Sequence, residues 1–517
     1  MQKMNHKINR RDFLKLAGAA SLGLFTPPLI QNLGNNHTMQ GGRKNVLVVV
    51  FDALSALNIS LYGYGRETMP NLSKLAKRAV VYHNHFAAGN FTTPGTASLL
   101  TMTLPWTHRA FRFDARVRES LADKSVFNAF GDYHRIAYTH NPLANTLLKQ
   151  FRMGIDEYVP RETLFINNDG LIRDLFSSDE DIATVGWARA MKRKDEGYSY
   201  SLFSSHLYEQ YQNKRIAKFK EFYPNGLPST NGDNYYTLED SIDWLQSRLE
   251  TLPQPFFGYF HFFPPHFPYK PRVEFGDHFV TDSWKPLDKP QDLFTEGNAY
   301  ETLAKSRAYY DEFILNVDSE FGRLFDRLES SGILENTWVV FTSDHGEMQE
   351  RGISGHTTPT LYQPIVRIPL FVFEPGRETG QDVYAPTSAV DVMTTLLHVT
   401  GHDIPAWSEG SILAPYTPQA SRNEKSVYSV QARRNDPAHP LTEATVVRVE
   451  ENYKLIYYLG YDQLGEDGER LQLFDVWADP EELNDLSATK KSTASELLNM
   501  TLAKLEEVNE PFSKRRN

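Results

Sequence analysis

The stretch that decides the fold is residues 45–52, NVLVVVFD, an unbroken run of apolar, mostly β-branched residues that ends at Asp52. A strand that is apolar at every position is typical of a parallel sheet covered by helices on both faces. A second run of the same kind, residues 337–344 (TWVVFTSD), also ends in an acid, Asp344. Two such runs predict two neighbouring strands at the centre of a large sheet.

Further strands and helices alternate around these two runs. Phe256–Phe263 is a third apolar run, and His266 follows it closely. In Asp311–Leu328 the apolar residues recur every three or four positions, which predicts one face of a helix. The alternation predicts an α/β fold with a doubly wound, mostly parallel sheet. In that architecture polar residues just past the strand ends line the ligand crevice, and Asp52, Asp344 and His266 hold such positions.

Shifts in composition divide the chain. We expect an export signal at 1–30, a Gly/Asn-rich linker at 31–44, a catalytic domain at 45–410 and a small C-terminal α+β subdomain at 411–517. The subdomain is indicated by closely spaced short apolar runs that precede a final helix. The polar region 164–253 is interpreted as an insertion or cap on the catalytic domain.

Composition excludes several classes of protein. Of the 517 residues, 40% are hydrophobic and 23% charged, as in ordinary globular proteins rather than disordered or polytopic membrane proteins. The 54 basic and 65 acidic residues leave a net charge of −11, so nucleic acid is not an expected partner. The chain has no cysteine, which excludes disulfides, thiolate metal sites and cysteine nucleophiles. Any metal must therefore be bound by histidine and oxygen donors.

The first thirty residues resemble a twin-arginine export signal. Arg10-Arg11 lies in a basic segment, an apolar stretch follows at residues 16–25, and Pro27-Pro28 ends it. An amphipathic helix of a cytosolic protein is the alternative, but the stretch has no charged face. We therefore expect recognition by the twin-arginine export machinery and a periplasmic or cell-envelope location, membrane-anchored if the signal is not cleaved.

Three segments carry residues suited to chemistry, and each is weak evidence by itself. Asp344 and His345 together offer a carboxylate and an imidazole to a divalent cation, although helix capping explains them about as well. Asp52 is also a common type of capping residue. Residues 89–101 form a hydroxyl-rich turn that leads into an apolar helix, whose N-terminus would favour an anionic ester or would simply be capped.

Taken together, the segments resemble the sulfatase family of the alkaline phosphatase superfamily. The resemblance rests on the order of Asp52, then Thr92-Thr93-Pro94 about forty residues later, then SDHGE at 343–347. Supporting segments occur in the same order: residues 61–64 (LYGY), 68–76 (TMPNLSKLA), 265–269 (PHFPY), 367–370 (RIPL), 390–397 (VDVMTTLL) and 473–482 (LFDVWADPEE). The resemblance implies an alkaline phosphatase-like fold from Asn45 to the C-terminus.

The chain departs from the family at the nucleophile. True sulfatases read Cys/Ser-x-Pro-Ser-Arg and oxidise the first residue to formylglycine, whereas this chain has Thr92, Gly95 and Thr96 at the corresponding positions. Oxidation of threonine at Cβ would give a ketone, not an aldehyde. Phosphodiesterases and phosphoryl transferases of the superfamily use threonine directly, so Thr92 resembles a nucleophile for phosphate esters. Ala53 also replaces a second acid that is common in sulfatases.

The resemblance implies a single divalent cation. Its ligands would be Asp52, Thr92 Oγ, Asp344 and His345, and the ion would be Mn²⁺, Zn²⁺ or Ca²⁺. The cation would activate the Thr92 hydroxyl for attack and would offset charge on the phosphoryl group.

The resemblance also implies residues that serve the substrate. His266 and His356 match the family's pocket histidines and would protonate the leaving oxygen. His140, which follows a predicted strand, and Lys270 are candidates for substrate binding. A structural histidine and a surface lysine are the plainer explanations of those two.

The resulting functional hypothesis is an exported, metal-dependent hydrolase of phosphate esters, diesters in particular, that forms a covalent intermediate on Thr92. A sulfuric ester hydrolase is the first alternative, because the overall pattern is that of sulfatases. A phosphoryl-group transferase acting on envelope glycans or lipids is another, and a non-enzymatic binding protein is a fourth. The expected substrate is thus a small-molecule, glycan or lipid ester.

Overall fold

The computed structural model describes residues 42–166, 210–211, 213–230, 234–417 and 426–513. Residues 42–167 and 212–517 belong to one compact unit. Residues 1–41 and 168–211 belong to a second unit, of which only Gln210 and Tyr211 are described. The predicted export signal therefore lies outside the described residues. Among the described residues, no helix combines the length and apolar character needed to cross a bilayer.

The described strands are short and spread along the whole chain. They are β1 (Asn45–Phe51), β2 (Val80–Tyr82), β3 (His85–Phe86), β4 (His134–Thr139), β5 (Glu157–Tyr158), β6 (Phe256–Phe262), β7 (Thr337–Thr342), β8 (Met348–Glu350), β9 (Ile353–Gly355), β10 (Leu370–Phe373), β11 (Gln381–Val383), β12 (Thr387–Ser388), β13 (Val427–Gln431), β14 (Ala444–Glu450), β15 (Tyr453–Leu459) and β16 (Glu469–Asp475).

The described α-helices lie between these strands. They are α1 (Pro70–Leu75), α2 (Thr92–Thr101), α3 (Pro105–His108), α4 (Val126–Ala129), α5 (Pro142–Gln150), α6 (Leu238–Leu249), α7 (Tyr300–Ser330), α8 (Gln363–Val366), α9 (Ala389–Val399) and α10 (Lys491–Ser513).

A central sheet of eight strands organises the described part of the catalytic region. Its order is β11-β2-β10-β7-β1-β6-β4-β5. Strand β1 pairs in parallel with both β6 and β7, and only β10 runs antiparallel to its neighbours. The prediction of a doubly wound, mostly parallel sheet is confirmed.

Alternate residues of β1 face opposite layers of helices. Val46, Val48 and Val50 pack in one core together with α2, α5 and α9. The residues between them, such as Val49, pack in a second core with α1, α6 and α7. Because both faces are buried, every position of the strand is apolar, which explains the run that indicated this fold.

The C-terminal region is a separate antiparallel sheet. Its order is β13-β14-β15-β16, and helix α10 packs against β14 and β15. The predicted short strands and final helix are confirmed here, and the final helix is α10. None of the described residues of this region belongs to the cluster of Asp52, Asp344 and His345 at the end of the central sheet.

Candidate active site

Strand register brings three polar side chains to one end of the central sheet. Val50 pairs with Thr342 of β7 and with His261 of β6. Asp52 and Asp344, each two residues further along its strand, therefore lie at neighbouring strand ends and on the same face. That is the face on which Val50 packs towards α2. All three polar side chains are fully buried.

Helix α2 places the candidate nucleophile over this end of the central sheet. Thr92 is its first residue, and its Oγ1 lies 3.4 Å from His345 Nε2. The close approach depends on Gly95, because a Cβ built at that position would lie 2.3 Å from the backbone oxygen of Asp344. The serine that the sulfatase pattern has here would not fit without a shift of the helix.

Asp52, Asp344 and His345 suit a divalent cation. One ligand atom from each residue lies within 4.8 Å of those of the other two. Asp52 Oδ1 and Asp344 Oδ2 are buried, and among the described residues neither accepts a hydrogen bond. Two carboxylate oxygens left without donors are costly in a protein interior unless a positive charge is present. The residues present therefore fit the metal that the family resemblance implies.

Asn141 connects the nucleophile to a metal-binding carboxylate. Its Oδ1 caps α5 by accepting from the backbone N–H of Leu143 at 2.7 Å, which fixes the orientation of the amide. Its Nδ2 then faces the site and donates to Asp52 Oδ2 at 2.5 Å and to Thr92 Oγ1 at 3.0 Å. A donor at this position stabilises negative charge that develops on the Thr92 oxygen.

A cleft of about 520 Å³ opens in front of Thr92. Its described lining includes the aromatic side chains of Phe91, Phe113, Phe263, Phe267 and Tyr269, and it includes no lysine or arginine. The carboxylate and imidazole groups of the described lining are those of Glu347, His266 and His356.

The two cleft histidines and Glu347 form a connected group beside the metal-binding residues. His356 Nδ1 lies 3.3 Å from a carboxylate oxygen of Glu347. The His356 ring centroid lies 4.2 Å from that of His345 and 5.0 Å from that of His266. A proton can thus be held between Glu347 and His356 at the edge of the site.

Burial and mutual proximity shift the pKa values of these groups. Burial raises the pKa of Glu347 to about 7, although His266 and His345 act in the opposite direction. Desolvation, together with His345, lowers the pKa of His356 to about 3. Near neutral pH the titrating proton of this pair therefore resides on the Glu347 side.

The carboxylates at the strand ends raise the pKa of His345, whereas the pKa of His356 is lowered. Burial alone would lower the pKa of His345, but Asp344 and Asp52 raise it to about 9. Burial would raise the pKa of Asp52, but three neighbouring histidines hold it well below its usual range. The lowered pKa of Asp52 and the raised pKa of His345 are the shifts expected where positive charge is favoured.

Two of the candidate substrate-binding residues lie away from the cleft lining. His140 is fully buried, stacks on Tyr236, and has its ring nitrogens 3.2 Å from Ser241 Oγ and 3.4 Å from the backbone nitrogen of Phe263. Lys270 Nζ donates to the backbone oxygen of Asn225. The structure brings together Asp52, Thr92, Asp344, His345, His266 and His356, but not these two.

Three residues of the site were missed by the sequence reasoning. Glu347 stands in the SDHGE segment, and Asn141 holds the N-cap position after β4. His261 is the one histidine in the otherwise apolar and aromatic strand FFGYFHF, on the same face as Tyr259. That isolated polar residue near the end of an apolar strand was the signal available in the sequence.

Known proteins share this sequence pattern and fold. The family described as Sulfatase matches residues 44–402, and the one described as N-sulphoglucosamine sulphohydrolase, C-terminal, matches residues 357–510. The choline-sulfatase of Rhizobium meliloti (strain 1021) is 24% identical over 473 residues, which cover 87% of this chain and 83% of that protein. Arylsulfatase K of Xenopus laevis is 26% identical over 298 residues, 51% of this chain and only 54% of that protein.

A solved structure extends the likeness to nearly the whole fold. The phosphonate monoester hydrolase of Agrobacterium radiobacter superposes with a TM-score of 0.64 at 18% identity, covering 90% of this chain and 96% of that one. The family match spans well over half of the chain and includes the strand ends, α2 and the SDHGE segment. The chain therefore belongs to the sulfatase family, a family of ester hydrolases in the alkaline phosphatase superfamily.

Proposed function

We propose that this chain hydrolyses phosphate esters, diesters in particular, with Thr92 as the nucleophile. The observation that carries the proposal is the position of Thr92, whose Oγ1 accepts from Asn141 Nδ2 at 3.0 Å and lies 3.4 Å from His345 Nε2. Threonine cannot supply the aldehyde on which sulfatase chemistry depends, but its hydroxyl can attack phosphorus directly.

The cleft supports a monoanionic substrate. No lysine or arginine occurs among its described lining residues, and one cation site provides most of the positive charge. A phosphodiester carries one negative charge, whereas a phosphomonoester near neutral pH carries close to two. The aromatic walls fit an apolar leaving group better than a polyanionic glycan.

The chain's own residues account for each proton and bond. Thr92 attacks as the alkoxide, after its hydroxyl proton has passed to solvent, and its Oγ forms the bond to phosphorus while the bond to the leaving oxygen breaks. Asn141 Nδ2 stabilises the negative charge on Thr92 Oγ. The leaving oxygen takes a proton from the Glu347–His356 pair, which gives a free alcohol and a phosphothreonine that still carries the second ester group of the diester. Water then attacks phosphorus and gives one proton back to that pair, which releases a phosphate monoester and regenerates the Thr92 alkoxide. When bound by Asp52, Asp344 and His345, a divalent cation supplies a Lewis acid that lowers the pKa of the threonine hydroxyl.

Turnover of three substrates tests the proposal. We expect purified protein with Mn²⁺ or Zn²⁺ to cleave an aryl phosphodiester faster than an aryl phosphate or an aryl sulfate. Thr92→Ala should reduce turnover on the order of 10³-fold or more.

Thr93→Ala is the matched control, since its neighbouring buried hydroxyl has no hydrogen-bond partner among the described residues. With the diester as substrate, mass spectrometry of acid-quenched enzyme should find on Thr92 a phosphoryl group that retains the second alcohol. Sulfate-ester turnover that survives Thr92→Ala would refute the mechanism.

A sulfuric ester hydrolase is the second candidate. Both curated relatives described above are named sulfatases, and a sulfate monoester is also monoanionic. The same assay separates the two, because this candidate requires aryl sulfate to be the fastest of the three substrates.

We also propose that the protein acts outside the cytoplasm. The support is the sequence pattern of Arg10-Arg11 followed by an apolar stretch. Full-length protein should reach the periplasmic fraction of a bacterium with a twin-arginine system, and replacing both arginines by lysine should retain it in the cytoplasm. Equal export of the two forms would contradict the proposal.

A further inference from the structure

We propose that the cleft contains two aromatic subsites, one at Phe267 for the leaving group and one at Phe113 for the ester group that stays on phosphorus. The inference rests on the proposed function, because only a diester carries two such groups. It narrows the substrate class to phosphate diesters of two aromatic alcohols.

Phe113 and Phe267 keep much of their surface open within the cleft. Phe113 is 49% exposed and Phe267 is 63% exposed, and both belong to the described lining in front of Thr92. A single exposed aromatic side chain is ordinary, but this lining contains three further aromatic side chains and no lysine or arginine. An apolar patch of this kind inside a cleft is typical of a surface that a ligand covers.

The two exposed rings belong to separate aromatic pairs. The ring centroid of Phe113 lies 5.1 Å from that of Phe91, and the ring centroid of Phe267 lies 5.5 Å from that of Tyr269. Among the described residues, no ring of one pair contacts a ring of the other pair. Two separate patches fit two substrate groups rather than a single large one.

The pair that contains Phe267 lies on the side of the proton donor. Tyr269 Oη accepts from Gln349 Nε2 at 2.8 Å, and Gln349 belongs to the hairpin β8–β9, between Glu347 and His356 in the chain. In phosphoryl transfer the attacking and leaving oxygens are roughly in line with phosphorus, so the leaving oxygen lies away from the nucleophile and beside its proton donor. The leaving group therefore meets Phe267.

The pair that contains Phe113 lies on the side of the nucleophile. Phe91 is the N-cap residue of α2 and directly precedes Thr92. The guanidinium carbon of Arg433 lies 5.1 Å from the ring centroid of Phe113, a cation–π contact that holds the ring in place. The retained ester group stays on phosphorus while phosphorus is bonded to Thr92, so Phe113 is the aromatic surface within its reach.

Two pairs of diesters test the assignment. Bis(para-nitrophenyl) phosphate and methyl para-nitrophenyl phosphate share a leaving group and differ in the retained group. Naphthyl methyl phosphate and phenyl methyl phosphate share the retained group and differ in the leaving group. The ratio of kcat/KM within each pair is compared between wild-type and variant protein, so that differences in the intrinsic reactivity of the esters cancel.

Each variant should change one ratio. Phe113→Ala should lower the preference for the diaryl ester over the methyl ester on the order of tenfold and leave the naphthyl-to-phenyl ratio unchanged. Phe267→Ala should do the reverse. Phe222→Ala is the control, because Phe222 is 46% exposed but lies outside the described lining, and it should leave both ratios unchanged.

The outcomes separate this inference from the proposed function. Diester turnover with both ratios unchanged in both variants would overturn the two subsites, and so would a change of the same ratio by both variants. Absence of turnover with every diester would refute the proposed function, and this inference with it. If an alanine variant fails to fold, Phe113→Leu and Phe267→Leu remove the ring but retain apolar volume, and the same pattern of ratios is expected.

Discussion

At the scale of single residues, Asn141 serves two elements at once. The Oδ1 atom of its amide caps the N-terminus of α5 by accepting from the backbone N–H of Leu143. The Nδ2 atom donates to Asp52 and to Thr92. The helix cap thus sets which amide atom faces the chemistry. A residue that only capped the helix would need no second donor, so the two roles can be separated by substitution.

Asn141→Ser should separate them. Serine retains a capping oxygen but is too short to donate to Asp52 and Thr92. We expect the free energy of unfolding to change by less than about 1 kcal/mol, and kcat to fall on the order of 10²-fold with little change in KM. Chemical denaturation and steady-state kinetics measure the two effects. A fall in stability with unchanged kcat would show that the amide is only a cap.

At the scale of elements, the contact between α2 and the loop after β7 sets the position of the nucleophile. Gly95 lies against the backbone oxygen of Asp344, so the first turn of the helix approaches a metal-binding residue directly. Any side chain there must push Thr92 away from His345. The glycine is thus required by packing rather than by backbone conformation.

Gly95→Ala tests this contact. Overpacking should cost about 1–3 kcal/mol of stability, and turnover should fall because Thr92 moves away from the metal-binding residues. Gly276→Ala is the control, since its Cβ would meet its nearest neighbour at an ordinary 3.6 Å. Thermal unfolding and kcat are the measurements, and equal behaviour of the two variants would contradict the argument.

The hairpin β8–β9 is anchored by a buried charge network. Glu350, at the end of β8, lies 2.9 Å from Lys289 Nζ and 3.0 Å from Arg307 Nη2 of helix α7. Burial would raise the pKa of Glu350, but Lys289 and Arg307 lower it to about 2 from an ordinary value of 4.5. The network therefore fixes the hairpin that follows Glu347 and precedes His356.

This network predicts a pH dependence of stability. Because the folded-state pKa of Glu350 is depressed, its contribution is fully present above about pH 4.5 and is lost as the pH falls towards 2. Wild-type protein should lose on the order of 3 kcal/mol more than Glu350→Gln over that range. Urea unfolding at several pH values measures the difference. Glu329→Gln, in an exposed pair with Arg78, should follow the wild-type curve.

At the scale of the whole molecule, one carboxylate connects the C-terminal sheet to the catalytic region. Glu482 Oε1 lies 2.6 Å from Lys454 Nζ of β15, and its Oε2 accepts from the backbone N–H of Gln363 at the start of α8 at 2.6 Å. Lys454 and Glu482 are almost completely buried. The C-terminal sheet is therefore part of the same folded unit as the site.

Breaking this pair should destabilise the whole unit. Lys454→Met leaves a buried carboxylate without its cation and should cost about 3–5 kcal/mol, whereas Lys454→Met with Glu482→Met should cost less. Lys504→Ala, in an exposed pair with Glu507, should change stability by less than about 1 kcal/mol. Unfolding should remain one transition for all three. Separate melting of a C-terminal part would contradict a shared unit.

The sequence predicted the fold better than the site. The run at 45–52 was sufficient for a parallel sheet because burial on both faces dictates composition at every position. Asp52, Asp344 and His345 were predictable because they follow such runs directly. The position of His261 beside the site was not predictable, because it depends on strand register, and the register is known only when β1 and β6 are paired. Lys270 shows the converse, since its side chain donates to the backbone oxygen of Asn225, a distant partner that the sequence does not reveal.

The strand-end cluster also has a consequence for folding. The acids after β1 and β7 are about 290 residues apart in the chain, so a cation held between them closes a very long loop. In the unfolded chain those groups are too far apart on average to chelate together, and binding free energy therefore becomes folding free energy. The cation thus acts as a reversible cross-link, and chelators should lower the unfolding midpoint of the entire catalytic unit.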